Sequence, residues 1–114
     1  MKAMYGCPIE ATIDVLGGKW KIYILYYLFQ GTQRFGALKR AIPHVTQQML
    51  TLQLRELEAD GVVRRTVYAE VPPRVEYALT PFGESLAPVL DQMLAWGEEY
   101  LTRTGATAHI TDSA

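Results

Sequence analysis

The stretch Thr46-Gln47-Gln48-Met49-Leu50-Thr51-Leu52-Gln53-Leu54-Arg55-Glu56-Leu57-Glu58-Ala59-Asp60-Gly61 decides how this chain is read. Thr46 suits an N-cap, because its hydroxyl can accept from a free amide of the first turn. Gly61 suits the position just past a helix end, where the backbone turns left-handed. Between them Leu50, Leu54 and Leu57 recur at spacings of four and three, which places them on one buried face. At about 100° per residue, Gln47, Gln48, Thr51 and Arg55 fall together on another stripe. That stripe carries amides, a hydroxyl and a guanidinium, and no acid.

Two runs follow that alternate with a period of two, 62–68 and 74–79. Val63 and Val67 alternate with Arg64 and Thr66, and Val75, Tyr77 and Leu79 with Glu76 and Ala78. This is the pattern of a half-buried, two-stranded ribbon. Pro72-Pro73 cannot donate ladder bonds, so pairing should stop at that tip. Arg74 beside the tip is a candidate phosphate or minor-groove contact, with Glu70 opposing it.

Upstream, Pro8 fits a first helical turn, since its missing N–H had no partner there. Ile9, Ile13 and Leu16 make an apolar stripe that Gly17-Gly18 ends. Gly18-Lys19 is not a phosphate loop, because Trp20 stands where a hydroxyl is needed. Residues 19–29 read as an apolar core helix with Trp20, Ile24 and Leu28 on one face. Tyr23, Tyr26 and Tyr27 suit core or dimer packing, or the lining of a ligand pocket. Residues 30–33 read as a turn, and 34–42 as a short helix with Phe35, Leu38 and Ile42 inward. Lys39 and Arg40 point out, where they can clamp a phosphate backbone. Pro43-His44-Val45 turns the chain into the Thr46 helix, with His44 incidental to it. Two helices so joined, the second bearing a polar stripe, form a helix-turn-helix pattern. Gln pairs with adenine, Thr touches bases or a thymine methyl, and Arg takes guanine or phosphate. Gln47, Gln48, Thr51 and Arg55 are therefore the base-reading candidates.

Downstream, Thr80-Pro81 restarts a helix that should run to about Arg103, roughly 33 Å at 1.5 Å per residue. Leu86, Val89, Leu90, Met93, Trp96 and Tyr100 belong to two apolar stripes along it. A helix apolar on two sides needs two partners, and in so small a domain the second is most easily a symmetry mate.

Bulk properties bound the classes. The chain has 114 residues, enough for one domain with a real core. Its longest apolar run, 22–29, is far too short to span a bilayer, and its start lacks the apolar region of a signal peptide. The expected location is cytoplasmic. A single cysteine, Cys7, excludes an internal disulfide framework. Net charge is −1, but residues 15–55 carry +6 with no acid, while residues 56–114 carry −6. One basic half beside one acidic half suits a chain that faces phosphate at one end. Metal-ligand spacing and a paired nucleophile and base are absent, so neither an enzyme nor a cofactor is expected.

The fold expected is α+β, mostly α: a winged helix-turn-helix with a two-stranded wing and a long C-terminal dimerisation helix. Its parts, within one domain over 1–114, are N-terminal helices (7–45), a recognition helix (46–61), a wing (62–79), a dimerisation helix (80–103) and a frayed tail (104–114).

With these residues in place, the sequence resembles the HxlR-type transcription regulators, a branch of the MarR-like winged-helix proteins. The matching pieces are Cys7-Pro8-Ile9-Glu10, Gly17-Gly18-Lys19-Trp20, Arg34-Phe35-Gly36-Ala37-Leu38, the run 54–61 and the run 71–77, then Leu79-Thr80 and Trp96-Gly97. The resemblance covers residues 7–101 in order. It implies a homodimer held by the first and last helices, recognition helices in successive major grooves of double-stranded DNA, and half-sites about one turn apart in an inverted repeat. By position it implies Thr46, Gln47, Gln48, Thr51 and Arg55 as the base-reading residues and Lys39, Arg40 and Arg74 as backbone contacts, and a repressor more than an activator. It also implies a role for Cys7, which matches a cysteine that senses oxidants or electrophiles in some similar proteins. A thiol at a helix N-terminus feels the positive end of the dipole, and Lys2 is close in sequence. The alternative for Cys7 is a small residue packed at the dimer interface. A small-molecule effector is a further partner the resemblance allows. The alternative for the whole chain is a winged-helix module that binds protein and not DNA, as the acidic half and Glu70 would allow.

Overall fold

The computed structural model describes residues 4–108. They fall into two compact units, one ending at Glu84 and the other starting at Ser85. In the first unit α1 (Pro8–Leu16), α2 (Lys21–Leu28), β1 (Gln33–Arg34), α3 (Phe35–Ala41), α4 (Gln47–Ala59), β2 (Val63–Tyr68), β3 (Arg74–Leu79) and α5 (Pro81–Glu84) follow in order. The second unit is α6 (Ala87–Thr104). These parts make a winged helix-turn-helix, mostly helical, with a small antiparallel sheet.

The sheet has three strands in the order β1-β3-β2. β2 and β3 form the ribbon in the register Val63 to Leu79 through Tyr68 to Arg74. β1 adds Gln33 opposite Tyr77 and Arg34 opposite Glu76. The turn expected over 30–33 thus runs into a strand, whose two residues are too few to show a period. The ribbon is also less buried on the β2 side than expected. Val63 is buried, but Val67 is 56% exposed, because the tip extends past the core.

The core of this unit is built from α2, α3, α4 and the base of the ribbon. Ile24, Leu25, Leu38, Ile42, Leu50, Leu54, Leu57, Val62 and Val63 are essentially closed to solvent. Leu50, Leu54 and Leu57 thus occupy the buried face that their spacing requires. α4 starts on Thr46, whose Oγ1 accepts from the Met49 N–H at 3.1 Å. It ends at Gly61, whose φ of +77° is costly for a residue with a Cβ. In α1 only Leu16 is buried; Ile9 and Ile13 are 67% and 62% exposed.

The helix expected over 80–103 is broken in two. Thr80 caps α5, accepting from the Gly83 N–H at 3.0 Å and donating to the Gly61 carbonyl. Gly83 packs so closely on the Val62 carbonyl that no side chain fits there. Pro88 then lies in the first turn of α6, which starts after Leu86. A proline there cannot donate to the carbonyl four residues back, and its ring clashes with it, which favours a break at this point. α6 has 18 residues, about 27 Å. Its apolar residues remain open, with Met93 49%, Trp96 69% and Tyr100 52% exposed. Trp96 and Tyr100 stack with centroids 5.6 Å apart. No helix among the described residues is long and apolar enough to cross a membrane. Lys2 and residues 109–114 of the expected tail lie outside the described residues.

Candidate nucleic-acid interface

The turn before α4 is made by His44, whose φ of +66° reverses the chain without a glycine. Val45 is buried beside it. Fixed in this way, α4 presents Thr46, Gln47, Gln48, Thr51 and Arg55 around one open surface groove, joined by Leu52. All five predicted base-reading residues are therefore brought together, and Leu52 is an apolar member that the polar stripe does not include. No acidic side chain lines this groove.

The groove residues are not equally free. Thr46 Oγ1 is engaged as the cap. Thr51 Oγ1 donates to the Gln47 carbonyl at 2.8 Å, which leaves its methyl and a lone pair outward. Gln47, Gln48 and Arg55 are exposed. Two amides and a guanidinium on a helix face can make bidentate bonds to adenine and guanine edges. Lys39 and Arg40 are exposed in the last turn of α3, where the helix dipole also favours cations.

The wing arginine is arranged otherwise. The Arg74 guanidinium lies 4.0 Å from the centre of the Tyr68 ring. Its Nε is 3.5 Å from a Glu70 carboxylate oxygen and 3.6 Å from one of Glu76. The Nε is buried and makes no hydrogen bond, so these contacts act by charge and stacking. Arg74 is held by its own hairpin, with two carboxylates to one cation. Arg64 and Arg65 on β2 are the more open wing cations. Arg65 is 3.6 Å from Glu58, while Arg64 is exposed. In the sequence Arg64 reads only as the wet side of an alternating strand, and Arg65 as no site at all. The signal available there is two adjacent arginines on the ribbon strand that follows α4.

Lys21 also departs from the sequence reading, which counts it in the basic half. It is buried, and its Nζ lies 2.9 Å from Glu56 Oε1 on the inner side of α4. Gln53 Nε2 donates to the same oxygen at 3.4 Å. The pair ties α2 to α4 opposite the exposed stripe and removes one cation from any phosphate-facing surface. Burial raises the Tyr77 phenol above its ordinary range, beside Arg65, Glu58 and Arg55.

Cys7 occupies the N-cap of α1 and is exposed. The Glu10 N–H donates to its carbonyl at 2.9 Å. Its thiol makes no capping bond. Among the described residues no cluster of three or more His, Cys, Asp or Glu could hold a metal ion.

Comparison with known proteins places this geometry. A model of the HxlR-like helix-turn-helix matches residues 15–105. The chain is 56% identical over 98 residues to the HTH-type transcriptional regulator YdeP of Bacillus subtilis (strain 168), covering 86% of this chain and 77% of that protein. The redox regulator HypR in its reduced form superposes with a TM-score of 0.79 at 56% identity, over 82% of this chain and 92% of that one. The reduced transcriptional regulator YodB of B. subtilis gives 0.75 at 35% identity, over 85% and 95%. With a family model spanning most of its length and relatives this similar, the chain belongs to the HxlR-like helix-turn-helix family.

Proposed function

We propose that this chain is a sequence-specific DNA-binding regulator of transcription, acting as a homodimer on an inverted repeat and repressing from it. The observation that carries the reading is the exposed, acid-free groove of Gln47, Gln48, Thr51 and Arg55 on α4. Lys39, Arg40 and Arg64, all exposed, serve as phosphate contacts, with Arg74 a weaker one. Leu86, Val89, Leu90, Met93, Trp96 and Tyr100, of which Val89, Met93, Trp96 and Tyr100 are exposed, form a dimer surface along α6, and the exposed Ile9 and Ile13 of α1 are a second apolar patch for a partner to cover. A second protomer would cover what one chain leaves in water.

A salt titration tests the reading. If each protomer of the dimer uses three cations, about six phosphates are neutralised, and the log–log slope of affinity on salt should be near −5. The competing reading is a module that binds protein, and the neutralised Arg74 favours it. That reading predicts no salt-dependent DNA binding at all.

Within the first reading, Cys7 is the oxidant sensor. HypR is a redox regulator solved in reduced and oxidised forms, and YodB has been solved after diamide treatment. With one cysteine per chain, two Cys7 thiolates of a dimer can join as a disulfide, diamide taking the two electrons and two protons. A mixed disulfide or an adduct on Cys7 is the other outcome. Either would move α1, and with it the spacing of the two α4 helices. A Cys7→Ser protein that still releases DNA on diamide treatment would exclude Cys7 as the sensor.

A further inference from the structure

Among the residues lining the α4 groove, Leu52 is the one whose side chain offers neither a donor nor an acceptor. It is 47% exposed. It follows the buried Leu50 by two residues, about 200° round the helix, and so points away from the core. Gln48 precedes it by four residues and Arg55 follows it by three, spacings at which helix side chains are neighbours. A helical side chain leans toward the turn N-terminal to its own Cα, which carries the apolar end of Leu52 toward Gln48.

A single exposed leucine is ordinary and by itself means little. The neighbours of this one give it a meaning. They are two amides, a guanidinium and a threonine whose hydroxyl is turned back to the Gln47 carbonyl. When those amides and the guanidinium reach base edges in a major groove, Leu52 between them meets an edge as well. The edges carry N7, O6, N6, O4 and N4, none of which a leucine can bond. Set against one of them, it would strip water from the atom and leave it unpaired. The apolar group on a major-groove edge is the 5-methyl of thymine.

We propose that Leu52 specifies a thymine in each half-site by packing against its 5-methyl group. The inference rests on the DNA-binding reading of the groove and deepens it. Gln48 and Leu52 are roughly 6 Å apart along the helix axis, less than two base steps of about 3.4 Å. The thymine therefore lies within about two base pairs of the base that Gln48 reads. Other bases are disfavoured there because their polar edge atoms are covered without being bonded.

The test starts with an operator selected by the wild-type chain from a randomised duplex library. Each thymine of a half-site is then replaced singly by deoxyuridine, which keeps every hydrogen-bonding group and removes only the methyl. Affinity is read by anisotropy. One thymine, within about two base pairs of the position where Gln48→Ala relaxes selection, should show a loss of about fourfold, the size expected for burying one methyl. Leu52→Ala and Leu52→Gln should bind the thymine and uracil duplexes equally. Leu52→Met and Thr51→Ser should keep the difference. Circular dichroism checks folding, and the exposed position lets either polar or small variant serve alone if the other does not fold. A half-site with no thymine at that place, indifference of the wild type to every uracil, or a difference that persists in Leu52→Ala overturns the proposal. So does a difference that disappears in Thr51→Ser, since the threonine methyl would then hold the contact. A chain that selects no sequence overturns the DNA-binding reading and this inference together, whereas a selected operator indifferent to uracil overturns this inference alone.

Discussion

Removing the two partners of the Lys21–Glu56 pair should have unequal consequences. The Lys21 side chain is 6% exposed and the Glu56 side chain 44%, so the same bond has one dry end and one wet end. Glu56→Ala strands a buried ammonium and also deletes the acceptor of Gln53 Nε2. Breaking a buried pair costs about 3–5 kcal/mol, and the partial exposure of Glu56 places this case at the lower end, about 3 kcal/mol. Lys21→Met fills the same volume with an apolar chain, and the Glu56 carboxylate can turn to water. That half behaves as a surface pair, worth about 0–1 kcal/mol, offset by the better burial of Met. For a chain of this size about 3 kcal/mol corresponds to roughly 12–24 °C in Tm. Urea unfolding at one fixed protein concentration is the assay, because any self-association would make apparent stability concentration-dependent. Glu56→Ala should lose about 3 kcal/mol and Lys21→Met less than about 1 kcal/mol. Equal losses, or a larger loss for Lys21→Met, would refute the reasoning that burial of the lysine end sets the cost.

Thr46→Ala removes the side-chain cap of α4 and should cost about 1 kcal/mol in the same urea assay, whereas Thr46→Ser should be nearly neutral. Gly83→Ala drives a methyl into the Val62 carbonyl and should cost about 1–3 kcal/mol, seen as a lower melting temperature. Arg64→Ala should weaken binding to specific and random DNA alike and reduce the salt slope by about 1 for each phosphate no longer neutralised, read by anisotropy. Arg74→Ala should change that slope less, since its charge is already met by Glu70 and Glu76.

The parts of this fold legible in the sequence are those with a period or a cap. Leu50, Leu54 and Leu57 repeat with the helix, Thr46 and Gly61 mark its ends, and Pro72-Pro73 mark the ribbon tip. The break between α5 and α6 is also written in the chain, as Pro88, but the apolar stripe from Leu86 onward runs through it and masks the missing donor. Lys21 is not legible. In an apolar helix a lysine reads as an exposed charge, and only tertiary packing brings Glu56 to it. The groove residues are readable because they share one face of one helix. Arg64 and Arg65 are not, because a strand's alternation shows which residues are wet but not that Arg65 meets Glu58 of α4. Glu70 is readable as an opponent of Arg74; that Glu76 and Tyr68 join it depends on the β2–β3 register.

The central claim is that the α4 groove reads bases. Competition anisotropy on an inverted-repeat operator, with random DNA as competitor, tests it most directly when run on wild type, Gln48→Ala and Thr51→Ala. The account predicts that each variant stays folded and dimeric, keeps its affinity for random DNA, and loses preference for the operator, by about 1–3 kcal/mol for the bidentate amide of Gln48 and by less for Thr51. Equal losses on operator and random DNA, or unchanged preference in both variants, would contradict it.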